Sequence, residues 1–554
     1  MECLEDKNRF SGRHIGPQVD FSLIRSWLDF CTSHHTRLCQ SKASDVASIP
    51  GFRVIDCRSR KVDNDKERHT QIQRMNLIYG SSAVTIIAAA GEDPTHGLPG
   101  VGKTPRKPQP AIRLGDRTLI SANLNVQQQV NASRWSERGW TYQEAYLSTR
   151  RLVFTDHMVY FHCRAMHCPE TISAPLEALH TDNMQRLRDP VHISRVWPLR
   201  GLGKRPSDLD NRIVEYSKKQ LSYPSDALSA FEGILARFEV MSPPVRNLCG
   251  IPLYEAEDIT ASLVVGLGWE VWLKNVTDDG AFIFPEPPRL DYQKTRFNRR
   301  LPFPSWTWLG WDFSRPDYPF CLHLGTDNVR LPWFEGPSKF SAGTSILKSP
   351  LSLVDIDVQM SGGATLPWAT AGSHIIDMTS SGGIKPEALH ISGFTVDARL
   401  EECSRYHPSD LRRLDGRELI HNETPFLRSG AGFYELFYLA TASRLEATPS
   451  YGLDKRLFSV RFVILGLINF FGPGELSTGE LPTSDRSLML IMVMHRKLGS
   501  TTWERLNVLQ CSIYNEEMWK VWEIHKLKTR GPLPGSIVDD REFQGWKWMK
   551  TVVV

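Results

Sequence analysis

The stretch that most constrains the fold of this chain lies between Ser133 and Cys163, where a helix and two short strands follow one another. Ser133 and Ser136 are residue types that cap the start of a helix. Glu137 adds a negative charge in the first turn, which the helix dipole favours. Two β-rich runs then flank a turn at residues 155–158. This order predicts a capped helix followed by a β-hairpin.

One face of the predicted helix combines large apolar side chains with a carboxylate. The spacing i, i+3, i+4 and i+7 places on that face Trp140, Gln143, Glu144 and Leu147. We therefore expect Glu144 to point inward or into a cleft. Burying a charge there costs free energy unless the group is paired or has a function.

The segment upstream of this helix predicts an α/β arrangement. Residues 63–65 form an N-terminal cap for a helix that Gly80 ends, and residues 83–90 form a continuous apolar run. Such a run is typical of a strand that a parallel sheet buries on both faces. Helix, strand, helix and strand in this order indicate the α/β class.

Two blocks of the sequence resemble one known family. The fungal heterokaryon-incompatibility (HET) domain ends in a signature similar to residues Arg134, Trp135, Arg138, Trp140, Thr141, Gln143 and Glu144 and the Leu-x-Phe strand that follows them. Residues 71–101 look like the segment that precedes this signature in the family. The blocks occur in the family's order, so the resemblance is specific.

The resemblance also implies that part of the domain is missing. Strands that the family places after a lead-in such as residues 51–60 are absent, and the gap falls near Val62 and Asp63. Either a real deletion or a wrong gene prediction or splice form explains the gap. A sheet without these strands would have bare edges, so we predict an incomplete HET sheet.

The family resemblance implies a fold and a function. HET domains look distantly similar to Toll/interleukin-1 receptor (TIR) domains, which have a flavodoxin-like fold. They act in fungal self/non-self recognition and regulated cell death, through an incompatibility partner protein or self-association. Some TIR domains hydrolyse NAD at a glutamate four residues after a tryptophan, which is the spacing of Trp140 and Glu144.

Three site residues follow from this resemblance. Glu144 would be catalytic, Trp140 would pack against the substrate and Arg138 would meet a phosphate, with NAD as substrate and no cofactor. Two alternatives stay open. Glu144 pairs with Arg150, Arg151 or another arginine to hold the fold, or the chain is a truncated, non-catalytic relative that acts as a binding or regulatory module.

Residues 97–104 match the phosphate-binding pattern GxxxxGK[ST]. That loop needs a strand running directly into it and a helix leaving it. Here residues 91–96 separate the loop from the apolar run, and prolines follow it at positions 105, 108 and 110. We therefore predict no nucleotide site here.

Several cysteines and histidines raise the question of a metal. The apolar stripe of residues 21–31, together with His34, His35 and the pair Cys31 and Cys39, could suggest a metal site. A docking helix with incidental polar residues is the favoured interpretation, because Cys-x7-Cys is not a common zinc spacing. The pairs His162-Cys163 and His167-Cys168 do not favour a common tetrahedral ion either. The sequence therefore predicts no metal ligands.

The remainder of the chain predicts further domains. We place a lead-in at residues 1–50, the HET domain at 51–175, a helical linker region at 176–250 and a β-rich region of unknown function at 251–554. Within the β-rich region we predict strands at residues 351–358, 388–396, 458–467 and 487–493. The tryptophan-rich residues 304–311 are expected in a β core. Asp355 and Asp357 are expected on a solvated strand face.

Bulk composition sets few limits on function. The chain of 554 residues has a net charge of +4, which indicates no general attraction to nucleic acid. The sequence offers no apolar run long enough for a membrane helix and no apolar leader, and its ten cysteines lack a secretory spacing. We expect a cytoplasmic protein.

Overall fold

The computed structural model describes the chain over sixteen stretches: residues 11–40, 75–122, 124–188, 195–198, 201–256, 258–273, 299–314, 320–324, 350–380, 385–400, 458–468, 487–496, 500–513, 518–532, 541–543 and 546–554. The chain forms two compact units. The first comprises Met1–Lys204 and Lys219–Arg237, and the second comprises Arg205–Lys218 and Phe238–Val554.

The described helices are α1 (Phe21–His34), α2 (Met75–Ser81), α3 (Val126–Asn131), α4 (Arg134–Glu137), α5 (Trp140–Leu147), α6 (Leu176–Leu179), α7 (Asp208–Ser217), α8 (Ser229–Glu239), α9 (Ile259–Gly266), α10 (Trp368–Ser380) and α11 (Met518–Arg530). Three short 3₁₀ turns lie at Pro94–His96, Pro224–Ala227 and Trp308–Gly310.

The described strands of the first unit are β1 (Ser11–Gly12), β2 (Thr85–Ala88), β3 (Ala111–Leu114), β4 (Arg117–Ile120), β5 (Arg150–Phe154), β6 (Val159–Cys163), β7 (His167–Pro169) and β8 (Ile172–Ser173). Those of the second unit are β9 (Arg246–Leu248), β10 (Ile251–Leu253), β11 (Trp269–Leu273), β12 (Phe320–Leu324), β13 (Leu351–Ser352), β14 (Asp355–Met360), β15 (Thr365–Pro367), β16 (Pro386–Leu400), β17 (Phe458–Ile468), β18 (Ser487–Arg496), β19 (Glu504–Ile513), β20 (Glu542–Phe543) and β21 (Trp546–Val553).

The main sheet of the first unit has the strand order β2-β5-β6-β7. β2 pairs with β5 in parallel, with Ile87 opposite Val153, and the predicted hairpin is confirmed as the antiparallel pair β5 and β6. β5 and β6 are buried along their whole lengths. The prediction that β2 is buried on both faces is wrong, since Ile87 is its one buried residue and Ile86 is 57% exposed. The mixed α/β class is therefore confirmed, while the TIR-like assignment stays a prediction.

Helix α1 docks on this sheet as its stripe predicts. Asp20 caps the helix by accepting hydrogen bonds from the backbone amides of Ser22 and Leu23. Trp27 stacks on Phe161 of β6 with 6.2 Å between ring centroids. The N-terminal segment thus shares a hydrophobic core with the sheet.

The single helix predicted after Ser133 is in fact two. Ser133 caps α4, which ends at Glu137, and α5 begins at Trp140 without a side-chain cap. The face predicted to hold Trp140, Gln143, Glu144 and Leu147 is not the only buried one, because α5 is buried around most of its circumference. Gln143 and Leu147 are fully buried, whereas Trp140 and Glu144 are half-buried.

Two predictions fall outside the described residues. The gap near Val62 and Asp63, and the bare sheet edges inferred from it, concern residues 41–74. The same holds for the first part of the helix predicted over residues 63–80, of which the described part is α2.

The second unit is built on a large antiparallel sheet. Its main path runs β15-β14-β16-β17-β18-β19, with β21 pairing along β16. The single strand predicted over residues 351–358 is in fact two strands, β13 and β14. The strands predicted at residues 388–396, 458–467 and 487–493 are confirmed, with longer bounds. The predicted burial of the tryptophan cluster is also confirmed, since Trp306 and Trp308 are fully buried.

The predicted solvated face of β14 is present as well. Asp355 is exposed, and Asp357 lies 3.3 Å from the Lys550 ammonium nitrogen. Both aspartates therefore behave as surface charges rather than as a paired acid and base. Across the described stretches, no helix combines the length and apolar character that crossing a bilayer requires.

Candidate functional site

A cavity of about 580 Å³ lies just beyond the carboxyl end of β2. Its wall is formed by the loop after that strand, the junction of α4 and α5, and residues 220–222, which follow α7. The lining residues are Ala88, Ala90, Gly91, Glu92, Asp93, Gly97, Arg134, Trp135, Arg138, Gly139, Trp140, Gln220, Leu221 and Ser222. Ligands of α/β proteins bind at this end of the strands.

The break between α4 and α5 shapes one side of the cavity. The Gly139 amide donates to the Gln220 carbonyl at 2.7 Å, and the Gln220 amide donates to the Glu137 carbonyl at 2.6 Å. A side chain at position 139 would meet Leu221, with only 2.5 Å from its Cβ to a Leu221 methyl carbon. Glycine therefore allows residues 220–222 to close against the helix junction.

Trp140 is held in place from the same downstream segment. Its indole nitrogen donates to an Asp226 carboxylate oxygen at 3.1 Å. The indole thus keeps one partner while the ring lines the cavity. The prediction that Trp140 packs against a substrate stays a prediction, and the sequence did not indicate Asp226 as the partner of its indole nitrogen.

Glu144 lies behind the cavity wall rather than on it. Its carboxylate accepts a hydrogen bond from the Trp135 indole nitrogen at 3.2 Å, and another from the Tyr79 hydroxyl. Burial raises the pKa of Glu144 above its ordinary value, and the two hydrogen bonds and the charge of Arg138 reduce that rise. Burial also raises the pKa of Tyr79, so its hydroxyl stays protonated and donates.

The two arginines that the sequence offered as structural partners of Glu144 point elsewhere. Arg150 donates to the Cys31 sulfur, the Ala83 carbonyl and the Cys39 carbonyl. Arg151 donates to the Ala145 carbonyl and lies over the Trp197 ring, 5.1 Å from its centroid. An ion pair of Glu144 with either arginine is therefore excluded.

Gln143, next to this carboxylate, has a structural role. Its side-chain amide donates to the Ser229 carbonyl at 2.9 Å and accepts from the Gly233 amide at 3.1 Å. These two bonds tie α5 to the first turns of α8. Gln143 is fully buried, so it is not available to a ligand.

The phosphate-loop pattern does not form a phosphate loop. Its residues fold into successive tight turns, in which the Gly100 amide donates to the Thr104 carbonyl at 2.9 Å. The described residues that follow Thr104 form β3 and β4, with no helix before Val126. The required helix N-terminus is missing there, as the prolines predict.

A family model described as heterokaryon incompatibility protein (HET) matches residues 56–144. The matched residues include most of the cavity wall and end at Glu144. This match supports a HET domain over these residues. No curated protein and no solved structure matches the chain.

The HET match and the cavity together locate the candidate site. Arg138 and Trp140, predicted to bind substrate, both line the cavity, while Glu144 is linked to it through Trp135. The sequence indicated Arg134 and Trp135 only as part of the family signature. It gave no indication of residues 220–222, because they lie beyond the matched HET residues and reach the cavity only through the fold.

A second cluster in the first unit was also missed. Cys31, His35, Cys39 and Cys163 place their side-chain sulfur and nitrogen atoms within 4.8 Å of one another, and all four residues are buried. The sequence offered His35 beside Cys31 and Cys39, but it placed Cys163, which is distant in the chain, in a separate pair and so did not bring the four residues together.

Proposed function

We propose that this HET protein is an effector of fungal self/non-self recognition that triggers regulated cell death, and that its cavity binds and hydrolyses NAD. The observation that carries the proposal is the cavity at the carboxyl end of β2, with Arg134, Arg138, Trp135 and Trp140 on its wall. Its volume lies within the range of about 300–1,000 Å³ that is usual for small-molecule sites.

The side chains on the wall suit a dinucleotide. Arg134 and Arg138 lie exposed on the cavity wall, and guanidinium groups bind phosphate oxygens in a bidentate manner. The rings of Trp135 and Trp140 offer apolar surfaces for a base or nicotinamide. Each element of the proposed ligand thus has a counterpart among the lining residues.

Glu144 would supply the reactive carboxylate. In NAD hydrolysis the bond between the ribose C1′ and the nicotinamide nitrogen breaks, and its electron pair neutralises the pyridinium ring. Water then adds to C1′ and releases one proton, giving ADP-ribose and nicotinamide. A carboxylate beside C1′ stabilises the positive charge that develops on the sugar.

Access to Glu144 requires a small rearrangement of Trp135. This indole stands between the cavity and the carboxylate and donates to it. We propose that the bound nicotinamide ribose displaces the indole, so that the ribose hydroxyls replace the lost hydrogen bond.

The experiment is a measurement of NAD turnover by the purified full-length chain and by Glu144→Gln. We expect hydrolysis to fall by about 10²-fold or more in the variant, since a carboxylate in general acid–base or electrostatic roles contributes at least that much. Glu177→Gln is the control, because Glu177 is exposed and does not line the cavity. Undiminished hydrolysis in Glu144→Gln contradicts the assigned role.

Expression in a fungal host tests the biological part. Growth arrest that needs Glu144 supports a cell-death effector that acts through NAD. Restoring the family's strands at Val62–Asp63 in a parallel chain tests whether the predicted gap limits activity. Growth arrest by the restored chain alone would indicate that the chain as written is impaired.

One observation favours a second function, that of a non-catalytic binding module. The Glu144 carboxylate is already held by Trp135 and Tyr79 and is absent from the cavity wall. In that case NAD or a related nucleotide binds without turnover. A turnover assay separates the two. Arg138→Ala weakens NAD binding, measured by calorimetry, in both cases, whereas NAD turnover that Glu144→Gln lowers is expected only in the first.

A further inference from the structure

Three cysteines and one histidine, which are residue types that bind metals, lie together in the core of the first unit, away from the residues that line the cavity. Cys31 and His35 lie at the end of α1, Cys39 follows one turn later, and Cys163 ends β6. Each of these four residues is 0% exposed. Polar groups buried this deeply need partners that satisfy them.

The backbone after α1 continues the helical spacing of the first three residues. The His35 amide donates to the Cys31 carbonyl at 3.0 Å, and the Cys39 amide donates to the His35 carbonyl at 2.8 Å. Residues spaced four apart in such turns share one face. Cys31, His35 and Cys39 therefore converge on the same side, where Cys163 completes the set.

The distances fit a single tetrahedral ion. Zinc bonds of about 2.3 Å to sulfur and about 2.0–2.1 Å to nitrogen imply ligand-to-ligand separations of about 3.5–3.8 Å. The Cys163 sulfur lies 3.5 Å from the Nδ1 atom of His35, and all four ligand atoms lie within 4.8 Å of one another. Small side-chain adjustments therefore close the site around one ion.

The protonation state of His35 follows from its hydrogen-bond chain. The Nδ1 atom of His180 meets the Leu176 carbonyl, which only accepts, so this nitrogen carries a proton. The Nε2 atom of neutral His180 then accepts from Nε2 of His35 at 3.0 Å. A neutral His35 has its lone pair on Nδ1, the atom that faces Cys163.

This chain is the arrangement that metal-bound histidines use. The ring nitrogen that does not bind the metal donates to an acceptor, which fixes the ring and its tautomer. His180 is that acceptor for His35, and the two rings stack with 5.1 Å between their centroids.

A buried cation lies beside the sulfurs. Arg150 is 6% exposed, and its Nε atom donates to the Cys31 sulfur at 3.2 Å while Nη2 donates to the Cys39 carbonyl at 2.8 Å. Three thiolates and one divalent ion together carry one negative charge. Arg150 neutralises that charge, whereas three neutral thiols would leave the guanidinium without an anion at this point.

The turn after β6 supports a thiolate at Cys163. The backbone amides of Ala165 and Met166 point at its sulfur, at 3.4 and 3.3 Å. A thiol sulfur is a weak acceptor, whereas a metal-bound thiolate attracts two such donors. The turn is closed by the Cys163 amide, which donates to the Met166 carbonyl.

We propose that Cys31, His35, Cys39 and Cys163 bind one zinc ion that fastens the N-terminal segment to the HET sheet. Three sulfurs and one nitrogen in a closed, buried, tetrahedral set are typical of structural zinc rather than of a catalytic ion. His35 and Cys163 are 128 residues apart, so the ion closes a long loop and thereby disfavours the unfolded chain.

The test begins with the zinc content of the full-length protein, purified without chelators from zinc-supplemented cells and measured by mass spectrometry. We expect one zinc per chain, and at least a tenfold loss in Cys163→Ser. Cys168→Ser is the matched control, because Cys168 is a buried cysteine on the neighbouring strand β7 and lies outside the cluster. It should keep its zinc.

A second variant covers the case in which Cys163→Ser does not fold. His35→Cys keeps four ligands and should still hold one zinc, and its cobalt-substituted form should show stronger thiolate charge-transfer absorption than cobalt-substituted wild type. Folded wild-type protein without zinc, or a disulfide among the three cysteines, would overturn the proposal. Equal zinc in Cys163→Ser and wild type would do the same.

Discussion

The Trp135 indole donates a hydrogen bond to the Glu144 carboxylate at 3.2 Å, across the break that separates α4 from α5. Trp135 also lines the cavity, so this bond connects the cavity wall to the only titratable group of the signature whose pKa burial raises among the described residues. A ligand that binds in the cavity and protonation of Glu144 would therefore both act on this hydrogen bond.

The pH dependence of stability should change in Glu144→Gln. The pKa of Glu144 in the folded chain is raised above 4.5, so its contribution is fully present below the unfolded-state pKa and is lost as pH rises through the folded-state pKa. We expect the urea midpoint of the wild type to fall over this window by more than that of Glu144→Gln. Glu177→Gln should follow the wild type, and parallel curves for Glu144→Gln would contradict the raised pKa.

The bond between Trp135 and Glu144 should appear as an energetic coupling. Trp135→Phe keeps a ring but removes the donor, and a hydrogen bond to a charged group contributes about 1.5–3 kcal/mol. We expect a double-mutant cycle with Glu144→Gln to give a coupling energy of about 0.5–3 kcal/mol. Trp140→Phe is the comparison: its indole bonds Asp226, so it should couple to Asp226→Asn and act additively with Glu144→Gln.

A buried ion pair should stabilise the first unit far more than an exposed one. Arg106 and Glu170 lie 2.7 Å apart with side chains 2% and 4% exposed, and Arg106 also donates to the Gly16 and Gln18 carbonyls. We expect Glu170→Gln to cost about 3–5 kcal/mol of unfolding free energy, because it leaves a buried cation unpaired.

The exposed pair Lys107 and Asp156 provides the control for this measurement. Its side chains are 63% and 36% exposed. Asp156→Asn should cost about 0–1 kcal/mol, since solvent screens the pair. If urea unfolding shows that Glu170→Gln and Asp156→Asn lower the free energy of unfolding by similar amounts, the prediction is wrong.

Two glycines should respond in opposite directions to alanine. A Cβ at Gly233 would lie 2.1 Å from the Gln143 amide oxygen, so Gly233→Ala breaks the hydrogen bonds that tie α5 to α8. We expect this to lower the free energy of unfolding by about 1–3 kcal/mol for each buried group left unsatisfied. A Cβ at Gly80 meets nothing within 4 Å. Gly80→Ala should therefore be neutral or stabilise α2 by about 0.5–1 kcal/mol. Circular dichroism melting curves distinguish the two, and an unchanged Gly233→Ala would contradict the packing at Gln143.

Local sequence patterns predicted much of the first unit's sheet. The apolar run before Gly91 becomes β2, and the β-rich runs around residues 155–158 become the hairpin of β5 and β6. Alternating patterns in the second unit likewise located β14, β16, β17 and β18. These elements follow from propensity and burial within short windows, which the sequence displays directly.

Helix boundaries around the candidate site were harder to predict. The sequence favoured one helix after Ser133, whereas Gly139 pairs with Gln220 and separates two helices. That break depends on a strand-like contact with a segment more than eighty residues downstream, and no local pattern records it.

The sequence by itself determined the α/β class, the HET signature and the identities of Arg138, Trp140 and Glu144 as candidate site residues. Only the tertiary structure decided that Trp135 and Tyr79, and not Arg150 or Arg151, hydrogen-bond Glu144. It also decided that Cys163 joins Cys31, His35 and Cys39. The physical reason is that periodicity and capping act between near neighbours, whereas a cavity or a ligand set requires distant segments to pack in one register.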